Sequence, residues 1–165
     1  MGFSLILQRS FNKDIVDYIL LHEDIFHTIS EDHILPKPHS FDLDKDAYVT
    51  VTVNNQTIGL YIFNAINSVT LGIHAHILKE FRKEYAIESG QKALQWIVNN
   101  TQHEKVIAEV PECYVNVVGF CKVNGLIVEG VNRLSYRKDG QLIDVINLGI
   151  TKEEIQKLEI KQWVG

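Results

Sequence analysis

Residues 47–78 read AYVTVTVNNQTIGLYIFNAINSVTLGIHAHIL, and the reading of this stretch decides the fold. Val49, Val51 and Val53 alternate with other residues, the period of a strand that buries one face. Asn54-Asn55 breaks the run as a tight hairpin turn, although no glycine follows. Gln56 to Ile66 returns as a second strand, Asn67-Ser68 turns again, and Val69 to Leu78 forms a third. The segment predicts an antiparallel meander.

Downstream, Phe81 to Thr101 reads as a long helix with Ile87, Gly90, Leu94, Ile97 and Thr101 on one stripe. Lys105 to Val110 is a short strand ended by Pro111, and Tyr114 to Asn124 a second helix. Ile127 to Tyr136, the turn Asp139-Gly140 and Gln141 to Leu148 make a terminal hairpin. Thr151-Lys-Glu-Glu154 is a capping box that opens a short last helix. Upstream, Phe3 to Arg9 reads as a strand. Asn12 caps an amphipathic helix carried by Ile15, Tyr18, Ile19, His22, Phe26 and Ile29, with a break near Glu23. Ser30 to Asp46, with Pro36 and Pro38, reads as an ordered loop. The order β-α-β-β-β-α-β-α-β-β predicts one α/β (α+β) domain over residues 1–165. Its mixed, mostly antiparallel central sheet carries helices on both faces.

Composition narrows the classes of function. The chain has 165 residues, 45% hydrophobic and 22% charged, a globular balance with enough material for a core. A net charge of −5 argues against a general nucleic-acid binder. Its two cysteines, Cys113 and Cys121, read as reduced thiols. Every long apolar run is broken by charged residues or Asn, so no membrane span is expected, and Met1 to Ser10 is too strand-like for a signal peptide. The expected setting is the cytosol. Asp42-Leu-Asp44-Lys-Asp46 reads as a solvated acidic surface or an attractor of a cationic amine. Trp96 and Trp163 read as packing or contact residues.

The element order resembles the GNAT (GCN5-related N-acetyltransferase) fold, and local features fall where that family places them. Lys79-Glu80-Phe81-Arg82 after the third meander strand looks like the start of a pyrophosphate loop, with Arg82 at the Gln/Arg position of Q/R-x-x-G-x-G/A. Gly125-Leu126 and Glu129-Gly130 resemble the signature after the last core helix; Arg133, Tyr136, Asp139-Gly140 and Asp144 resemble the family's usual ending. Short members from phages and prophages look nearest. The resemblance implies acetyl-CoA, or another acyl-CoA, as cosubstrate. It implies Ile77, Leu78, Arg82, Lys83, Glu84, Tyr85, Ala86 and Ile87 around the donor, with Tyr114 and Asn116 on the following helix. The departures are as plain. The two small loop positions fall on Tyr85 and Ile87, and the family's cofactor-side Asn and acid Tyr fall on Tyr114 and Cys121.

Acyl transfer to an amine needs a base for the ammonium and a donor for the departing thiolate. His74 and His76 sit two apart on one strand and share a face, which makes either a candidate base. They read also as residues under a covering helix or half-exposed at a strand end, and Glu109 is an alternative base. Cys121 is a candidate proton donor or a small core thiol, and Tyr114 a second candidate. His33 and His39 decorate a loop that folds over the site in many family members. A metal site is the other reading of His74 and His76 on one face, but the remaining histidines show no partner spacing that would complete it. The sequence therefore carries two readings. One is an N-acetyltransferase acting on a small amine, a protein N-terminus or a lysine. The other is a catalytically inactive binding or assembly protein, of phage origin, with a homodimer or an assembly partner.

Overall fold

The computed structural model describes residues 4–37 and 39–163, with side chains through residue 158. Phe3, Pro38 and the Trp163 side chain, all read above, lie outside the described residues. The elements run β1 Leu5–Ser10, α1 Lys13–Leu20, α2 Glu23–Ile29, β2 Asp46–Val53, β3 Gln56–Ala65, β4 Thr70–Ile77 and α3 Lys79–Asn100. After these come β5 Lys105–Pro111, α4 Val115–Val123, β6 Ile127–Lys138, β7 Gln141–Thr151 and α5 Lys152–Trp163. Among the described residues no helix is long and apolar enough to cross a membrane.

Local chemistry explains most boundaries. Asn12 Oδ1 accepts the Asp14 N–H at 2.9 Å and starts α1. The chain breaks at Leu21 and restarts at once because His22 Nδ1 accepts the Asp24 N–H at 3.2 Å, a new cap for α2. Asn54 and Asn55 both take positive φ, 51° and 64°, so the β2–β3 turn needs no glycine. Gly125, at φ 94°, ends α4 while the Leu126 N–H bonds back to Cys121 O at 3.0 Å. The capping box forms: Glu154 N–H reaches Thr151 Oγ1 at 3.1 Å, and Thr151 N–H reaches Glu154 Oε2 at 2.8 Å.

The strands form one seven-stranded sheet in the order β1-β2-β3-β4-β5-β7-β6, antiparallel except for the parallel pair β4–β5. Tyr48, Leu60 and Ile62 point to one face, where Val16, Ile19, Leu20 and Ile25 of α1 and α2 cover them. Val49, Val51, Tyr61, Phe63 and Leu71 point to the other, against Ala93, Leu94 and Ile97 of α3, Val118 and Cys121 of α4, and Ile155 of α5. Trp96 stacks on Phe63 with ring centroids 5.4 Å apart, a packing role as the sequence suggests.

Three expectations need correction. The segment read as the start of a loop is already helix, since α3 begins at Lys79 and only Leu78 separates it from β4. Lys79 to Glu88 holds neither glycine nor proline, and Leu78 is pinned by its own burial and by the bond from its N–H to Ile58 O at 2.9 Å. Ile87 leaves the apolar stripe at 50% exposed; the buried line runs through Gly90, Ala93, Leu94 and Ile97. In addition α5 is a full 12 residues rather than short. The segment after α2 is strapped to the β6–β7 turn. Asp32 accepts the N–H groups of Asp139 (2.9 Å) and Gly140 (2.8 Å), and Lys138 Nζ donates to His27 O (3.0 Å) and Ser30 O (3.1 Å).

Candidate active site

Strands β4 and β5 pair only at Thr70↔Lys105, Leu71↔Val106 and Gly72↔Ile107. Beyond that point they diverge, because β5 follows its antiparallel partner β7 from Lys105 to Pro111. The divergence opens a wedge in the middle of the sheet. Its inner part, about 160 Å³, lies between Ile73–His76 of β4 and Ala108–Pro111 of β5, with Phe120 and Cys121 of α4 and its C-cap Asn124 behind. It continues into an outer cleft of about 550 Å³ that reaches Arg82, Lys83 and Ala86 of α3 and Cys113 to Val117 at the start of α4. Ala75, His76, Tyr114 and Phe120 line both parts.

The two histidines share a face, as alternation requires, but their surroundings differ. His76 is 8% exposed, and burial pushes its pKa down to about 3, with the neighbouring histidines and Arg82 adding to the shift. It stays neutral at any ordinary pH. Among the described residues its ring has no hydrogen-bond partner. His74 keeps part of its surface open, yet the wedge walls strip hydration from the ring and lower its pKa. Asp46 and Glu109 pull the pKa back up, and His39 lowers it further. His74 Nε2 lies 3.0 Å from Asn64 Oδ1. With that oxygen as acceptor, the proton sits on Nε2 and the lone pair of Nδ1 is free.

Cys121 is buried, and desolvation pushes its thiol pKa up to about 11. Among the described residues Tyr114 Oη is buried without a hydrogen-bond partner, so this phenol has a proton to offer a ligand in the cleft. The Tyr136 hydroxyl lies beside that of Tyr114. Burial first, and then Tyr114, push the Tyr136 pKa up to about 12.

The near end of α3 is already occupied. The Lys79 N–H donates to Asp24 Oδ2 at 3.0 Å, and the Phe81 N–H closes onto Leu78 O at 3.0 Å. Arg82 spends its guanidinium on backbone carbonyls, Nε on Ile77 O (2.7 Å) and Nη2 on Asp24 O (3.1 Å).

The wedge thus gathers His74, His76, Glu109, Cys121, Ile77, Arg82, Lys83, Ala86, Tyr114 and Asn116 from the residues singled out in the sequence. It leaves out four others. Leu78 is core, Glu84 and Ile87 face solvent, and Tyr85 packs against the main core. Asn64 and Asp24 were not foreseen. Asn64 meets His74 only through the register of β3 on β4, and Asp24 meets Lys79 across 55 residues, so no local pattern announces either. Among the described residues no group of three or more His, Cys, Asp or Glu is placed to hold a metal ion.

Solved structures share this architecture. Spermidine N-acetyltransferase from Vibrio cholerae, in complex with CoA and spermine, is 16% identical with a TM-score of 0.78, covering 92% of this chain and 98% of that one. Spermidine/spermine N-acetyltransferase SpeG from Vibrio cholerae, in complex with manganese ions, is 16% identical with a TM-score of 0.74, covering 93% of this chain and 95% of that one. At such identity the likeness is one of fold, and it shows the GNAT fold for this chain. No curated protein matches the sequence. The family model described as "Protein of unknown function (DUF2824)" matches residues 22–161, which spans α2, the wedge and most of α5, and the chain belongs to that family.

Proposed function

We propose that the chain transfers an acyl group, acetyl in the simplest case, from a coenzyme A thioester to a primary amine. One observation carries this reading. One cleft is lined by an oriented imidazole with a free lone pair and by a buried phenol that has no hydrogen-bond partner among the described residues. The amine nitrogen attacks the thioester carbonyl and the carbon–sulfur bond breaks. His74 Nδ1 takes the ammonium proton, directly or through one water, and Tyr114 Oη protonates the departing sulfur. A lowered pKa keeps His74 in its free-base form near neutral pH. His76 is too weak a base for that task and acts as a neutral hydrogen-bonding group on the ligand. The thiol of Cys121, held protonated, packs behind the cleft. The carboxylates of Asp46 and Glu109 act on His74 and favour a cationic acceptor. Spermidine and spermine are the first acceptors to try, since the solved neighbours are named for them.

The test is calorimetric titration with acetyl-CoA followed by an acetyl-transfer assay with spermidine. We expect binding by the wild-type chain. His74→Ala should retain binding while kcat falls about 10²-fold or more, and Tyr114→Phe should slow transfer in the same way. A folded protein that gives no heat with acetyl-CoA would sink the proposal. A second reading, a non-catalytic binding or assembly protein such as the resemblance to phage-encoded members suggests, is favoured by the Asp24 carboxylate on the end of α3. It predicts no thioester binding and a protein partner instead.

A further inference from the structure

An elongated ligand seated in the wedge ends at the first turn of α3, where the outer cleft reaches Arg82 and Lys83. A helix N-terminus ordinarily offers an anion several free N–H groups and the positive end of the macrodipole. Here the offer is withdrawn. The Leu78 N–H is bonded to Ile58 O, the Lys79 N–H to Asp24 Oδ2 and the Phe81 N–H to Leu78 O. Among the described residues, these bonds leave the Glu80 N–H, which belongs to a residue that is itself acidic. Arg82 is held in place by two carbonyl oxygens, which use two of its five N–H donors, so its charge stands at this end of the cleft beside the Asp24 backbone. The opposite holds deeper in the cleft. His76, 8% exposed and with no hydrogen-bond partner among the described residues, faces both parts of the wedge, and the buried Tyr114 Oη has no partner either.

Unmet hydrogen-bonding capacity therefore sits at the thioester end of the cleft, and a built-in carboxylate sits at the phosphate end. We infer that Asp24 determines donor specificity: it is an intramolecular stand-in for the donor's diphosphate. The chain then recognises an acyl thioester by its pantetheine arm and takes short pantetheine thioesters about as well as acyl-CoA. This rests on the acyl-transfer reading above. Removing the negative charge relieves a like-charge contact, and in the alanine variant the Lys79 N–H is freed as well, which returns the diphosphate's contribution to binding.

The experiment titrates acetyl-CoA and acetyl-pantetheine into wild-type protein, Asp24→Ala and Asp24→Asn. The asparagine variant keeps the shape and an acceptor for the Lys79 N–H while losing the charge, so it guards against a fold defect in the alanine variant. We expect wild-type affinities for the two thioesters within about threefold of each other. Both variants should bind acetyl-CoA about tenfold more tightly, with acetyl-pantetheine unchanged. Wild-type preference for acetyl-CoA beyond about tenfold, or thioester binding that ignores both substitutions, overturns the donor proposal alone. Silence of both thioesters in all three folded proteins removes the transferase reading, and the donor proposal with it.

Discussion

The orientation of His74 depends on an atom that is missing two residues earlier. Gly72 has no Cβ, and the amide of Asn64 fills that space; a Cβ there would collide with Asn64 Oδ1 and lie 3.1 Å from its Cγ. The same oxygen holds His74 Nε2. Gly72→Ala should therefore turn Asn64 away and release the imidazole. The expected result is a kcat lower by about 10²-fold, since small misplacements of a catalytic group cost that much. Asn64 is a side chain on an open strand end, so the stability loss should stay within about 1–3 kcal/mol. Steady-state kinetics beside thermal melts separate the two effects, and Asn64→Leu should reproduce the rate loss. An unchanged kcat in both variants would show that the orientation of His74 is irrelevant to transfer.

Between elements, one buried hydrogen bond joins the sheet to the helix behind it. Ser89 Oγ donates to Ala86 O at 2.8 Å and so accepts from Tyr61 Oη, also at 2.8 Å, with both residues fully buried. Ser89→Ala leaves the Tyr61 hydroxyl in the core with no partner, a loss of about 1–3 kcal/mol in denaturant unfolding. Adding Tyr61→Phe should recover much of that loss, because no orphaned donor then remains. A double variant no more stable than the single would show that the hydroxyl finds another partner. Elements of this kind were legible in the sequence because their signals are local. The Asn54-Asn55 and Asp139-Gly140 turns, the Asn12 cap and the Thr151 box each act within a few residues, and each appears as read. What joins the elements was not legible. Asn64 beside Gly72 follows from strand register, and Asp24 on Lys79 from the docking of α2, neither of which leaves a trace in spacing. The loop expected after β4 failed for a related reason: without glycines the chain went straight into helix.

For the molecule as a whole, His76 ties stability to pH. Folded, it stays neutral down to about 3, while the unfolded side chain takes a proton below the ordinary value of 6.5. Between those limits the unfolded state binds more protons. Stability therefore falls as the pH drops through this window, by up to ~1.4 kcal/mol per pH unit, and the loss is complete below the folded value. Above the ordinary value both states are neutral and His76 contributes no slope. Urea unfolding at a series of pH values should show this decline, and His76→Gln should flatten it. An equal slope in both proteins would assign the acid sensitivity to other groups.

The short β4–β5 ladder gives the molecule the mechanics of a spring clip. Three adjacent pairings at Thr70, Leu71 and Gly72 are the spring, and the free lengths of β4 and β5 are the jaws. One jaw belongs to the meander that α2 covers, the other to the hairpin that ends at Asp139-Gly140. The two amide bonds to Asp32 clasp them together at the far side. Grip on anything held between the jaws is then set as much by that clasp as by the residues that touch it.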